Sequence, residues 1–136
     1  MFTSLAFGGY NKKFKPARTE NDWLSANAEN VDAYEADPLC GFTFTNNGYA
    51  VLFEIIKQAC AHKTIAAVPK ELPVYFVAGQ DDPVGNYGKG VQKAYDKFVK
   101  AGVKDVNITL YEHSRQFLQA NPCIVYPCRG FSLRAS

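Results

Sequence analysis

The residue types that could do chemistry are concentrated in one short loop. Gly79-Gln80-Asp81-Asp82-Pro83-Val84-Gly85-Asn86 sets two carboxylates beside a glycine turn, with a proline that fixes the backbone after Asp82. Further on, Tyr111-Glu112-His113-Ser114-Arg115 supplies a histidine. A carboxylate held rigidly after one strand can orient an imidazole delivered after the next, and the imidazole can then take the proton of a hydroxyl nucleophile. That order, acid before base, is one in which nucleophile, acid and base triads occur. The same Asp-Asp-Pro sequence is also ordinary turn chemistry, and on spacing alone both readings stand. Ser114 has no strained turn around it that would make it a nucleophile, and His113 reads as a solvent-facing loop residue. His62 reads as the end of a helix, where positive charge suits the dipole.

The loop needs strands to hold it. Residues 72–78, Leu-Pro-Val-Tyr-Phe-Val-Ala, form a short apolar run ended by Gly79, which predicts a strand buried on both faces, as in a parallel sheet. Val91, Ala94, Tyr95, Phe98 and Val99 then recur at helical spacing, and Gly102 is placed to cap that helix at its carboxyl end. Val106, Ile108 and Leu110 alternate with Asn107, Thr109 and Tyr111, the period of a strand with one wetter face. Strand, helix and strand together make a βαβ unit. Upstream, residues 10–16 read as loop and residues 21–25 as a turn or helical piece. A helix is predicted over residues 28–36, stopped by Asp37-Pro38. Thr45 or Asn46 should cap a longer one that runs to about His62, with Val51, Leu52, Ile55, Ile56 and Ala59 as its apolar positions.

Composition narrows the classes. The 136 residues, 47% hydrophobic and 21% charged, suit one soluble globular core and exclude disordered and coiled-coil chains. With 15 basic against 13 acidic residues and no basic block, nucleic acid is not an expected partner. No basic start with an apolar run follows Met1, and no apolar stretch is long enough to span a bilayer, so the expected location is the cytoplasm. Cys40, Cys60, Cys123 and Cys128 lack zinc-ligand spacing and read as reduced thiols; neither metal nor cofactor is expected. Asn107-Ile108-Thr109 fits a glycosylation sequon but reads as strand. Gly85-Asn86-Tyr87-Gly88-Lys89-Gly90 is a weak version of the glycine loop that a phosphate-binding, flavodoxin-like module would need.

Several separated stretches resemble the bacterial lysophospholipase or monoacylglycerol-lipase-like α/β-hydrolases, the serine-aminopeptidase-like group. They are Phe7-Gly8-Gly9-Tyr10-Asn11-Lys12-Lys13-Phe14, Asp22-Trp23-Leu24-Ser25, Asp37-Pro38-Leu39-Cys40-Gly41, residues 72–85 and Gly88-Lys89-Gly90-Val91. The resemblance runs from Phe7 to Arg115. It implies an α/β protein with a partial α/β-hydrolase fold: a cap or lid and the following helix over residues 1–68, and the last strand-helix-strand of a parallel sheet over 69–115. Residues 116–136, with two prolines and two cysteines, fall outside the pattern. It also implies that Asp82 is the acid of a serine hydrolase triad, with Asp81 its solvated neighbour, and that Trp23, Tyr34 and Tyr49 line or pack the cap. As buried aromatic filler the three need no such role.

Two departures bear on function. No Gly-x-Ser-x-Gly elbow occurs in the sequence, and Gln116-Phe117 stands where the family's base histidine would follow Arg115. His113 lies three positions before Gln116, nearer the strand. The expectation is the C-terminal part of a serine ester hydrolase acting on lipid or other small esters, retaining the triad acid and inactive alone, through a truncated or shifted reading frame. The alternative is a non-catalytic pseudoenzyme fragment that acts as a binding module. Two strands cannot cover an apolar strand on both faces, so self-association through that strand is expected. Light scattering on fresh protein should report species larger than the monomer and a broad thermal transition; a monomer with a sharp reversible transition would contradict this.

Overall fold

Pro73 has no N–H to give to a ladder, and the first strand starts just after it. In the computed structural model, which describes residues 8–116, β1 covers Val74–Gly79 and β2 covers Val106–Tyr111. The two pair in parallel, from Val74 opposite Val106 to Gly79 opposite Tyr111. Parallel strands need a crossover, and here it is the helix Lys89–Lys100. Three helices precede β1: α1 (Ala28–Ala36), α2 (Asn46–Ala59) and α3 (His62–Ala66), so the crossover is α4. Two 3-10 turns, Tyr10–Lys13 and Asp22–Leu24, open the described chain. The first of these stands where the sequence reads as loop.

One sheet face packs on α4, where the rings of Phe76 and Phe98 meet edge to face at 5.2 Å. At the amino end of the strands, the Val74 amide donates to the Asp105 carbonyl and the Lys104 amide to the Lys70 carbonyl, at 2.8 and 2.9 Å. The expectation that β1 is buried on both faces is not met among the described residues. Tyr75 is exposed and Val74, Phe76 and Val77 are half-buried. Tyr75 and Thr109 are diagonal neighbours on the open face and share a hydrogen bond of 2.6 Å between their hydroxyls. The continuous apolar run therefore conceals an alternation that a tyrosine, apolar by composition and polar at its tip, provides.

The helices begin where their caps dictate. The Asn27 carboxamide accepts the Glu29 amide at 2.9 Å to start α1, and the Thr45 hydroxyl accepts the Gly48 amide at 3.1 Å to start α2. α1 ends at Ala36, before Asp37-Pro38, as the sequence predicts. α2 ends at Ala59, short of the predicted His62, because Ala61 turns to extended geometry and the Thr64 hydroxyl takes the Gln58 carbonyl at 2.7 Å. His62 thus opens α3 and does not close α2, so it does not sit at the helix carboxyl end that the sequence predicts. The apolar stripe of α2 is divided. Tyr49 is buried and Leu52 half-buried, whereas Val51, Ile55 and Ile56 are about half exposed. Ile65 is buried on α3, which packs against both α2 and α4. Residues 117–136, including Cys123 and Cys128 and nearly all of the tail, lie outside the described residues.

Gly79 ends β1 buried against the chain that leaves β2. A Cβ placed on it would collide with the carbonyl oxygens of Ser114 and Arg115, which are backbone atoms and cannot rotate away. Gly79→Ala should therefore cost on the order of 2–3 kcal/mol or more. Chemical denaturation should show the loss, and an unchanged midpoint would mean that residues 114–115 shift freely.

Candidate active site

Two loops leave the carboxyl ends of the strands, and backbone hydrogen bonds strap them together. The Gln80 amide donates to the Tyr111 carbonyl at 2.8 Å and the Asp81 amide to the Ser114 carbonyl at 3.0 Å. The carboxyl edge of a parallel sheet is where open α/β folds place ligands. The acid loop then folds on itself. One oxygen of Asp82, Oδ1, accepts the Val84 amide at 2.8 Å, an Asx turn, and the Asp82 carbonyl accepts the Tyr87 amide at 2.8 Å. Pro83 is buried beneath it. Asn86, Tyr87 and His113 adopt left-handed backbone geometry, with φ of 50, 54 and 55 degrees.

The glycines that follow are there for packing. A Cβ on Gly88, whose φ is 79 degrees, would meet Leu110 at 2.8 Å. The Gly90 amide already donates to the Gly85 carbonyl at 2.9 Å and the Lys89 amide to the Asn86 carbonyl at 3.2 Å. Two of the amides that a phosphate cradle would offer are thus engaged.

Residues 10–26 close over this edge. Residues Lys13, Phe14, Ala26, Asp81, Tyr87, His113 and Arg115 line a cleft of about 530 Å³. Lys13 holds its ammonium 3.4 Å from the Tyr87 ring centroid, a cation-π contact from the amino-terminal segment to the acid loop. Asn11 knits the segment itself, donating to the Thr19 carbonyl at 2.6 Å and accepting the Trp23 amide at 3.0 Å. Trp23, buried, meets the Tyr10 ring edge on at 5.0 Å. The Tyr10 phenol titrates above its ordinary value because it is partly buried and because the Asp82 charge opposes its ionisation.

The sequence-predicted residues divide between two environments. Asp82 is half-buried and anchored within its own loop, whereas Asp81, expected as a solvated neighbour, is half-buried and lines the cleft. His113 is exposed and lines the same cleft. Ser114 is engaged with its own chain, its hydroxyl donating to the Glu112 carbonyl at 3.3 Å. Tyr49 is buried, and the Tyr34 hydroxyl accepts the Gly41 amide at 3.1 Å. Cys40 and Cys60 are free thiols. Among the described residues no three His, Cys, Asp or Glu side chains gather as a metal site would require, and no helix is long and apolar enough to cross a membrane. Tyr10, Asn11, Lys13 and Tyr87 were not singled out by sequence reasoning as site residues. Their side chains reach the acid loop or brace the segment that does, through contacts far apart in sequence. Their one signal was membership of the stretches that carry the family resemblance.

The parallel βαβ unit with its loops at the carboxyl edge is part of an α/β-hydrolase fold. The sequence profile of the family "Serine aminopeptidase, S33" matches residues 3–115, and the chain belongs to that family. Among solved structures, the chain is similar to a highly thermostable carboxyl esterase from Bacillus coagulans in complex with glycerol. The TM-score is 0.80 and the identity 24%, over 89% of this chain and 39% of the esterase. It is also similar to a lipase in its open form, with a TM-score of 0.65 and 24% identity, over 78% of this chain and 36% of the lipase. The chain thus spans well under half the length of either. No curated protein sequence matches it.

Asp22 ties the first segment together electrostatically. Burial alone would raise its pKa, but the amides of Arg18 and Thr19, the Thr19 hydroxyl and the Arg18 charge together bring it below its ordinary 3.8. Its stabilising contribution is complete above that value and is lost as pH falls through the lower folded value. Stability of the chain should therefore drop more steeply below pH about 4 than that of Asp22→Asn. Parallel pH profiles would disprove the assignment.

Proposed function

We propose that this chain supplies the acid-bearing edge and cap of a serine ester hydrolase, of the type that cleaves lysophospholipids or monoacylglycerols, with Asp82 as the triad acid. The observation that supports it best is the strapping of the two loops at the carboxyl edge, with Asp82 held by the Val84 amide beside the exit of β2. In such a site Asp82 accepts the Nδ1–H of the base histidine and fixes its tautomer, so that Nε2 takes the serine proton as the hydroxyl attacks the ester carbonyl. Neither the serine elbow nor a histidine at the motif position is in this sequence, so the chain by itself carries the acid without nucleophile or base. The domain reading belongs to the same proposal: residues 1–68 as cap, 69–115 as core. Val51, Ile55 and Ile56, open on α2, offer an apolar wall of the kind an acyl chain needs. A non-catalytic role as a partner of another hydrolase is the second reading, and the exposed apolar residues of α2 suit it equally.

The chain alone should not hydrolyse p-nitrophenyl or monoacylglycerol esters above the uncatalysed rate. In a polypeptide that joins it to a Gly-x-Ser-x-Gly elbow and a base histidine, Asp82→Asn should lower kcat by about 10³ to 10⁴-fold with KM little changed. Asp81→Asn, at the cleft wall, should change kcat by less than about tenfold. Normal turnover with Asp82→Asn would rule out the assignment.

A further inference from the structure

Arg115 packs its backbone against Gly79 at the start of the acid loop while its side chain holds the amino-terminal segment. Its carbonyl oxygen and that of Ser114 occupy the space beside Gly79. Its guanidinium points the other way: Nη1 donates both to the Asp22 carbonyl and to the Ser25 carbonyl, the latter at 2.9 Å. The guanidinium carbon lies 4.1 Å from the centroid of the Phe14 ring. None of the ion pairs among the described residues involves it. Its charge is met by two carbonyl dipoles and a ring face. The acceptors are themselves fixed, Asp22 by its bonds to Arg18 and Thr19, and Ser25 by burial at 2% exposure.

We propose that Arg115 is a positioning residue, a clamp that holds residues 14–25 at a fixed distance from the exit of β2 and so sets the cleft between cap and acid loop. As a role in catalysis this rests on the ester-hydrolase reading; as a contact it does not. The geometry suits arginine and not lysine. A planar guanidinium can aim two N–H groups of one nitrogen at two carbonyls while stacking its face on a ring. A lysine in its place keeps the charge but has neither the plane nor the reach in two fixed directions.

Trp23 is the only tryptophan, buried between the two carbonyls in sequence, so its emission reports the clamp in the intact 136-residue chain. Arg115→Ala should keep its far-UV circular dichroism, shift the emission to the red and raise acrylamide quenching about threefold or more. Methylguanidinium at about 20 mM should reverse the change and methylammonium should not. Arg115→Lys should also quench above the wild type. Wild-type quenching in a folded Arg115→Ala protein, or a rise that methylguanidinium does not reverse, would overturn the proposal. If Arg115→Ala loses its far-UV spectrum, Arg115→Lys decides, with wild-type quenching counting against the clamp and raised quenching for it. The readout is emission and not turnover, so failure of the clamp is separable from failure of the ester-hydrolase reading.

Discussion

The space beside Gly79 that a side chain would fill is taken by the backbone of residues 114 and 115. This close approach brings the loop after β1 and the loop after β2 together, and the amides of Gln80 and Asp81 then bond across the gap. Without it, the acid loop would have its own Asx turn but no fixed relation to the chain leaving β2. The parallel pairing of the strands sets the height at which the two loops emerge, and α4 packs against both strands. The placement of Asp82 is therefore set by a backbone arrangement and not by its own carboxylate alone.

The amino-terminal segment is held by a different kind of force. Its short 3-10 turns have little intrinsic stability, and the contacts that fix them are side chain to backbone: Asn11 to residues 19 and 23, Asp22 to residues 18 and 19, and Arg115 to residues 22 and 25. Lys13 over Tyr87 adds a contact to the far rim of the cleft. The cleft is accordingly bounded on one side by a backbone ladder and on the other by polar side chains.

That difference explains what could be read from sequence. β1, α4 and β2 were legible because period and local end signals determine them: alternation for β2, helical spacing for α4, and for β1 an apolar run ended at Gly79, although that run starts at Leu72 and the strand only after Pro73. The α1 stop at Asp37-Pro38 and the α2 cap at Thr45 were legible for the same reason. The end of α2 was not, since it depends on one threonine hydroxyl reaching back six residues to Gln58. Nor was the open sheet face, since Tyr75 counts as apolar until its hydroxyl finds Thr109. In the site, the Asp-Asp-Pro turn after β1 was visible as a motif. Tyr10, Lys13 and Tyr87 were not, because contacts between the amino-terminal segment and residues 82–87 leave no period in a sequence.

The Arg115 bond to the Asp22 carbonyl joins residues 93 apart. The entropic cost of closing a flexible loop grows only with the logarithm of its length, about 0.6 kcal/mol for each doubling. The exposed connection between α1 and α2, with Leu39, Phe42 and Phe44 open to solvent, lies wholly inside that loop. Residues can be added to or removed from it at almost no expense to the closure. The stretch between Asp37 and Thr45 can thus change in length and surface while the strands and the two loops at their carboxyl edge stay in register.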